Sequence, residues 1–272
     1  MLTTQGRSEA RGERRHASAP LSWSMPLARW AAWSAAEDGV PDLAFVDLML
    51  RRRLSALSKM AMKVAHECAG DLAQVKVLFA SRHGELNRTT AILDDIVGDQ
   101  PVSPTAFSLA VLNAMPGVLS IARHDRSASA ALSAGEQTLG YALLEAYAQY
   151  RDEPGVPVLV VYAHEPAGDR YGPVADDLER GALALLIDAN GPHMLDCELD
   201  KAVAEGRAGS EHSGMAREDT GHEELRHDGE TLPLPAFPTH SRALLHTLKH
   251  LSGSTWQAPR ARWSWHCHVR AH

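Results

Sequence analysis

The sequence has few cysteines and no long apolar run, and both absences limit what the protein can be. Its 272 residues include three cysteines, with no C-x-x-C spacing. A sparse, odd set argues against a disulfide framework and is typical of reduced thiols, so we expect a cytoplasmic protein. The apolar segment 21–39 is interrupted by Arg29, whereas a membrane span needs about 20 apolar residues. The sequence therefore predicts no membrane span.

The sequence also has fewer basic than acidic residues. Lys and Arg number 27 against 34 Asp and Glu, a formal net charge of -7. A general nucleic-acid binder carries a basic surface. The charge balance therefore predicts that this chain is not a general nucleic-acid-binding protein. The 44% of hydrophobic and 22% of charged residues are an ordinary globular mixture that can bury a substantial core.

Two polar segments are predicted to lie outside the folded core. Residues 1–20 lack the apolar centre of a signal peptide and are expected to form a disordered leader. Residues 200–235 are rich in Gly, Glu, Asp and His and nearly free of large apolar side chains, which predicts a flexible surface insertion. We expect 21–199 to form one domain, with 236–272 adding a helix and a strand that pack back on it.

Helices and strands are predicted to alternate along that domain. Apolar residues recur every three to four positions in 51–69, which indicates a helix, and 156–163 and 181–189 are continuous apolar runs typical of strands covered on both faces. Further strands are predicted at 75–80, 127–132, 193–199 and 260–270, and further helices at 87–97 (with Asn87 as N-cap), 105–116, 136–150 and 239–253. The pattern favours an α/β fold with a mostly buried central sheet.

The junction between strand 127–132 and helix 136–150 reads A-L-S-A-G, close to the G-x-S-x-G nucleophile elbow. Such a turn exposes a serine hydroxyl at a helix N-terminus, where backbone N–H groups stabilise an oxyanion. Ser133 would then be the nucleophile of a serine hydrolase or thioesterase, with Asp188 as the acid and His240 as the base. The alternative is that small residues pack at this turn for structural reasons alone.

A longer set of motifs resembles the N-terminal half of a β-ketoacyl synthase. The stretches that carry the resemblance are R-R-R-L-S-A-L-S-K-M-A-M-K-V-A, S-P-T-A-F, V-L-N-A-M-P-G-V-L-S, the junction above and V-P-V-L-V-V-Y-A. Together with the closing W-S-W they are most similar to short ketosynthase-like chain-length factors of aryl polyene and xanthomonadin pigment clusters. The resemblance covers about residues 20–190 and the tail. It implies a thiolase-like fold, with one thiolase-type half and helices on both faces of the sheet.

The departures from that family concern the catalytic residues. Its active members carry a nucleophilic cysteine at the start of the helix after this strand, and the matching position falls near Gly135. Ser133, Ala134 and Gly135 are therefore a vestigial nucleophile region. The histidine motifs H-G-T-x-T and G-H-x-x-G are missing, and R-H-G-E-L at 82–86 lies too early to replace them. The cysteines lie in a predicted helix, strand and tail strand, where none can substitute: Cys68, Cys197 and Cys267.

The resemblance thus implies a non-catalytic chain-length-factor-like partner of a full-length ketosynthase. The two chains would form a heterodimer across strand 127–132 and shape a tunnel for an acyl chain on an acyl carrier protein. Glu136 and Gln137 would face that tunnel or the interface. The alternative is that Glu136 is a first-turn carboxylate favoured by the helix dipole and Gln137 an ordinary helix former. No cofactor is implied.

Three other features have plainer interpretations. His246 and His250, and also His266 and His268, have spacings that suit a metal, but no third ligand follows in the sequence, so no metal is predicted. The basic run 51–53 either attracts an acidic partner or stays solvated. A stand-alone acyl-binding protein is the third function hypothesis.

Overall fold

One eight-stranded sheet organises the part of the chain that the computed structural model describes, residues 19–34, 39–172, 174, 180–201 and 233–271. Its strands are β1 (Leu21–Ser34), β2 (Lys76–Ala80), β3 (Ser129–Leu132), β4 (Val158–His164), β5 (Gly181–Ile187), β6 (His193–Asp200), β7 (Gly253–Ala258) and β8 (Ala261–Val269). The helices are α1 (Leu48–Arg51), α2 (Ala56–Ala69), α3 (Leu86–Val97), α4 (Pro104–Ser108), α5 (Ala114–Arg123), α6 (Thr138–Asp152) and α7 (His240–His250).

The strands lie in the order β3-β2-β4-β5-β1-β6-β8-β7. Strand β2 pairs in parallel with β3 and β4, and all other neighbours are antiparallel. The carboxyl ends of β2, β3 and β4 therefore meet at one end of the sheet. This is where open α/β sheets commonly place a functional site.

Helices cover both faces of the sheet. One face packs against α2 and α5, and the other packs against α6 and α7. Strand β4 is buried along its whole length, as its continuous apolar run predicts. Helix α6 approaches the sheet closely, because a Cβ on Gly140 would lie 2.7 Å from the ring of Trp263. The predicted α/β class, a central mostly buried sheet with helices on both faces, is confirmed.

The helix predicted over 51–69 is shorter than expected. Helix α2 begins at Ala56, because the Ser55 hydroxyl accepts from the Ser58 backbone N–H at 2.9 Å and caps it. The arginines at 51–53 lie at the end of α1 and in the turn after it. Asn87 is not the N-cap of α3, since Glu85 occupies that position.

The helix predicted over 105–116 is two helices. Helix α4 ends at Ser108, and α5 begins at Ala114. Pro116 lies in the first turn of α5 and does not end a helix there. The first turn tolerates proline because its N–H groups have no partner within the helix.

Two strands of the sheet were not predicted from the sequence, and a third lies elsewhere than predicted. Strand β1 lies in a segment for which the sequence predicted only apolar character, and β7 lies between the predicted helix 239–253 and the predicted strand 260–270, where no element was expected. The mostly buried sheet predicted from the sequence includes strand 127–132, but β3 is an edge strand with Ser129 and Ala130 exposed. Most of the predicted leader 1–20 and of the insertion 200–235 lies outside the described residues. Within the described ranges, no helix has both the length and the apolar character to cross a membrane.

Candidate functional site

The turn between β3 and α6 is held by one side chain. The buried Thr138 hydroxyl donates to the Gly135 carbonyl at 2.6 Å and accepts from the Ala134 N–H at 2.9 Å. Gly135 has φ of +60°, a conformation that glycine adopts without steric cost. A Cβ built on it would meet no atom within 4 Å. At Gly135, near which the sequence resemblance predicts a nucleophile, there is therefore space for a side chain, but none is present.

The polar side chains next to Gly135 form hydrogen bonds or ion pairs with other residues of the same chain. Ser133 is exposed, and its hydroxyl donates to the Arg82 carbonyl at 2.9 Å. A Glu136 carboxylate oxygen lies 3.6 Å from the guanidinium of Arg82. The side-chain oxygen of Gln137 accepts from the Trp263 indole at 2.9 Å. Gln137 thus fixes the start of α6 to the core, and a role in a partner's tunnel stays a prediction.

A pocket of about 300 Å³ lies beside this turn, at the carboxyl ends of β2 and β4. Its wall is partly apolar, with Trp30, Trp33 and Leu183. Four cationic side chains also line it, from the segment after β2, the residue before β5, and helix α7: Arg82, Arg180, Arg242 and Lys249. Arg180 pairs with Glu165 at 2.8 Å. Apolar walls with a cationic rim suit an anion that carries an apolar tail.

His240 lines the pocket as a buried neutral imidazole. Burial lowers the pKa of His240 to about 3, and the charges of His164 and Arg82 act in the same direction, while a hydrogen bond with the Glu136 backbone opposes them. Its ring packs edge-on against Tyr162 and Trp256, at centroid distances of 5.2 and 5.0 Å. At neutral pH His240 is therefore uncharged and held by aromatic contacts.

The predicted triad of Ser133, His240 and Asp188 is not assembled. Asp188 follows β5 at the end that pairs with Val158, whereas Gly181 at the other end pairs with His164 near the pocket. Seven residues of strand separate these ends by roughly 20 Å. Asp188 accepts from the Asn190 N–H at 2.8 Å and shapes its own turn. The triad prediction is wrong because an antiparallel strand carries its following residue to the opposite end of the sheet.

None of the three cysteines is placed to act as the missing nucleophile. Cys68 lies in α2, Cys197 in β6 and Cys267 in β8, and all are buried and free. Burial raises the pKa of Cys68 to about 12 and that of Cys267 to about 11, and it holds the pKa of Cys197 well above its usual range. The reactive thiolate is disfavoured at all three positions.

The other predicted features lie apart from the pocket. The His246 and His250 rings are 4.5 Å apart on α7, and His246 also packs on Phe237. The His266 and His268 rings lie on β8, beside Asp196. The arginines at 51–53 are half-buried or exposed, and Arg88 donates to the Arg53 carbonyl.

Sequence reasoning missed most of the pocket. Arg82 and His164 each follow or end a buried strand, a signal that could have marked them as residues at the carboxyl ends of neighbouring strands. Arg180 had no such signal, because it precedes β5, which runs antiparallel to β4. Arg242 had none either, because it lies on α7, far from these strands in the sequence.

Comparison with known proteins places this geometry in a family. The model described as beta-ketoacyl synthase, N-terminal domain, matches residues 28–266, well over half of the chain. No curated protein matches. A chain from the structure of the ketosynthase ApeO in complex with its chain length factor ApeC, from Xenorhabdus doucetiae, is 20% identical. It aligns over 90% of this chain and 99% of its own, with a TM-score of 0.67.

Two further solved structures are less similar, and the fold assignment does not depend on them. The ishigamide ketosynthase/chain length factor is 14% identical, with 68% and 70% coverage and a TM-score of 0.48. A beta-ketoacyl synthase from Burkholderia phymatum STM815 is 14% identical, with 62% and 48% coverage and a TM-score of 0.43. The predicted thiolase-like fold is confirmed, and the chain belongs to the β-ketoacyl synthase N-terminal-domain family.

Proposed function

We propose that this chain is a non-catalytic, chain-length-factor-like partner of a full-length β-ketoacyl-acyl-carrier-protein synthase. The observation that carries the proposal is the open edge strand β3, which leads directly into a nucleophile turn without a nucleophile. The partner's cysteine performs the condensation, and this chain completes the interface and one wall of the acyl tunnel. By resemblance the pathway is aryl polyene pigment synthesis or a related specialised fatty-acid pathway.

The turn supports a non-catalytic role. Acyl transfer needs a thiolate or an activated hydroxyl at the start of α6. Gly135 offers no side chain, and the Ser133 hydroxyl donates its proton to a backbone carbonyl. A carbonyl cannot act as a base, so nothing in this arrangement activates the oxygen.

Strand β3 supports the heterodimer, because it offers backbone groups to a second chain. The Ala128 carbonyl accepts from the Val77 N–H of β2 at 3.1 Å, and the Leu132 carbonyl accepts from the N–H of Ser81, just after β2, at 3.3 Å. Since backbone groups alternate sides along a strand, those of Ser129 and Ala131 point away from β2. No described strand lies on that side. An edge of this kind is a template for pairing with another chain.

The helices that lie between β2 and β3 in the chain expose several large apolar side chains. Helix α5 contacts β3, and α4 contacts α3. On α3, α4, α5 and the segment before α5, six such side chains are at least half exposed: Leu93, Ile96, Val97, Phe107, Val111 and Ile121. Large exposed apolar patches on soluble domains commonly mark protein–protein contacts. A second thiolase-like subunit would cover both the strand edge and these side chains.

The test is coexpression with a full-length β-ketoacyl synthase from the same gene neighbourhood. We expect one complex whose mass by light scattering equals one copy of each chain. Ser129→Pro removes an outward N–H at an exposed edge position, where proline is tolerated, so the monomer should fold while the complex is lost. Ser129→Thr keeps that N–H and is the matched control, which should bind as the wild type does.

Two results would contradict the proposal. One is a monomer that ignores the synthase at micromolar concentrations of both chains. The other is elongation of a carrier-bound acyl group with malonate units by this chain alone. Circular dichroism of the Ser129→Pro chain shows whether a lost complex reflects lost pairing or lost folding.

Acyl binding without a partner is a second candidate function, favoured by the pocket beside the turn. Trp30 and Trp33 line the pocket, so their fluorescence should change when a medium-chain fatty acid binds. A saturable change that weakens at least tenfold in Arg242→Gln, in the absence of any ketosynthase, would support this candidate. An unchanged spectrum at millimolar fatty acid would exclude it.

A further inference from the structure

The outer face of β6 and β8 brings together three side chains that have the donor set of a metal site. Asp196 and His266 lie directly opposite each other in the β6–β8 ladder, and His268 is two residues further along β8 on the same face. Their ligand atoms all lie within 4.8 Å of one another. The sequence supplied two histidines at strand spacing without a third ligand. The sheet register supplies the carboxylate.

The distances suit a divalent first-row metal. Zn²⁺ bonds to imidazole nitrogen and carboxylate oxygen are about 2.0–2.2 Å long, so tetrahedral ligand atoms lie roughly 3.4 Å apart. The Asp196 Oδ2 atom is 3.3 Å from His268 Nδ1 and 3.7 Å from His266 Nδ1. The two rings lie 5.3 Å apart and are partly exposed, so they have room to tilt toward a shared ion.

A neighbouring strand orients the carboxylate. The Ser24 hydroxyl, on β1, donates to Asp196 Oδ1 at 2.5 Å, which leaves Oδ2 to face both imidazoles. Outer hydrogen bonds of this kind fix ligating carboxylates in metal sites. Two residues away on the same strands, the Ser22 hydroxyl of β1 donates to the carboxylate of Glu198 on β6 in the same way. Glu198 adds negative charge on the same face of β6.

One nitrogen in the cluster is left without a hydrogen bond. His268 Nδ1 is shielded from solvent and makes no hydrogen bond, although an Asp196 carboxylate oxygen lies 3.3 Å away. Buried polar atoms are almost always satisfied. A metal ion between the ring and the carboxylate would satisfy this nitrogen.

We propose that Asp196, His266 and His268 bind one divalent first-row metal ion, with Zn²⁺ as the probe that defines the site. Three protein ligands leave a fourth position for water, and a groove of about 290 Å³ lined by Ser22, Ser24 and Glu198 borders it. The ion joins β6 to β8 on the sheet face opposite the buried Leu195 and Cys197. It is separate from the pocket at the carboxyl ends of β2 and β4.

The test is calorimetric titration of the full, metal-stripped chain with Zn²⁺, together with the visible spectrum of the Co²⁺ form. We expect one equivalent bound at micromolar or tighter Kd, and intense Co²⁺ bands that indicate four-coordination. Asp196→Asn and His268→Gln should each weaken binding at least tenfold. Ser24→Ala, which removes only the orienting hydroxyl, should weaken it about tenfold.

The second histidine pair provides the control. His246→Gln with His250→Gln removes two close imidazoles that have no carboxylate grouped with them among the described residues. This double variant should bind Zn²⁺ as the wild type does. Absence of binding at 100-fold metal excess over micromolar protein would overturn the proposal. So would an unchanged Kd in Asp196→Asn, because the ion would then be held elsewhere in the chain.

Discussion

At its β7 end the chain covers the edge of its own sheet, whereas at its β3 end the described residues leave the edge open. The Thr255 N–H, on β7, donates to the Pro235 carbonyl at 2.9 Å, and the Phe237 N–H donates to the Thr255 carbonyl at 3.2 Å. Ala236 bridges to β7 in between. Ser129 and Ala131 on β3 have no equivalent neighbour in the described ranges. The edge left open by the described residues is the one that leads into the turn 133–137.

The two ends also differ in their side chains. Strand β8, next to β7, contributes Trp263 and Trp265, both fully buried, while β3 contributes only serine, alanine and leucine. A sheet end packed with large aromatic groups is stabilised within the monomer. An end built of small, partly exposed residues buries less apolar surface within the monomer and leaves an edge that a second chain can cover. The comparison predicts that damage at the β7–β8 end lowers monomer stability, whereas damage at the β3 end affects association.

The largest effect should come from Trp263→Ala. The Trp263 ring packs edge-on against Trp23 and Tyr141, and its indole N–H holds Gln137. Truncating a fully buried aromatic leaves a cavity and costs about 3–5 kcal/mol. Urea unfolding should therefore show that loss in the isolated monomer. Trp263→Phe keeps a ring and loses only the hydrogen bond, so it should cost clearly less. Equal losses in both variants would contradict the packing account.

A pH-dependent effect of intermediate size should come from His240, which begins the helix that covers the β7–β8 end. Its folded pKa of about 3 lies below the ordinary 6.5, so between these values the unfolded chain binds a proton that the folded chain does not. The free energy of unfolding therefore falls as pH falls below 6.5, by up to about 1.4 kcal/mol per unit, or about 2 kcal/mol by pH 5.

The variant that isolates this effect is His240→Phe. Phenylalanine keeps the aromatic contacts with Tyr162 and Trp256 but has no proton to bind. Unfolding curves between pH 5 and 7.5 should show a shallower loss of stability in the variant than in the wild type. The same slope in both chains would mean that another group carries the pH dependence.

A direct test of the two edges introduces proline into both. Thr255→Pro removes the N–H that bonds to Pro235 and leaves that carbonyl without its donor, which should cost the monomer about 1–2 kcal/mol. Ser129→Pro removes an N–H that faces no described strand and should change monomer stability by less than about 0.5 kcal/mol. Thermal unfolding of the two monomers measures the difference. If both prolines cost the same, the edges are not distinct within the monomer.

The sequence predicted the parts of this molecule that depend on local pattern. Continuous apolar runs located β4 and β5, and three-to-four spacing located most of α2, because burial on both faces or on one helical face leaves a periodic trace. Strand β1 was missed because its 14 residues mix tryptophan, serine and alanine without regular alternation. The start of α2 was misplaced because apolar spacing continues through Leu54, although Ser55 caps the helix.

Longer-range features could not be found in this way. The turn 133–137 was located as a unit, since strand, small residues and helix are consecutive in the chain. The pocket and the metal cluster each combine elements far apart in sequence, and only the sheet order brings them together. Asp196 and His268 became neighbours because β6 pairs with β8. Asp188 was wrongly assigned to the site because the sequence does not show whether β5 runs parallel or antiparallel to β4. The antiparallel pairing places Asp188 at the other end of the sheet.

A small effect on stability, and none on partner binding, should come from Ser133→Ala, at the open end of the sheet. The exposed Ser133 hydroxyl makes one hydrogen bond to the Arg82 carbonyl, and water can replace it, so the loss should stay below about 1 kcal/mol. Partner binding should be unchanged, because the outward backbone groups of β3 remain. A fluorophosphonate probe should not label the wild-type chain. Labelling that disappears in Ser133→Ala would show an activated hydroxyl, and the turn would then be an active site and not the remnant of one.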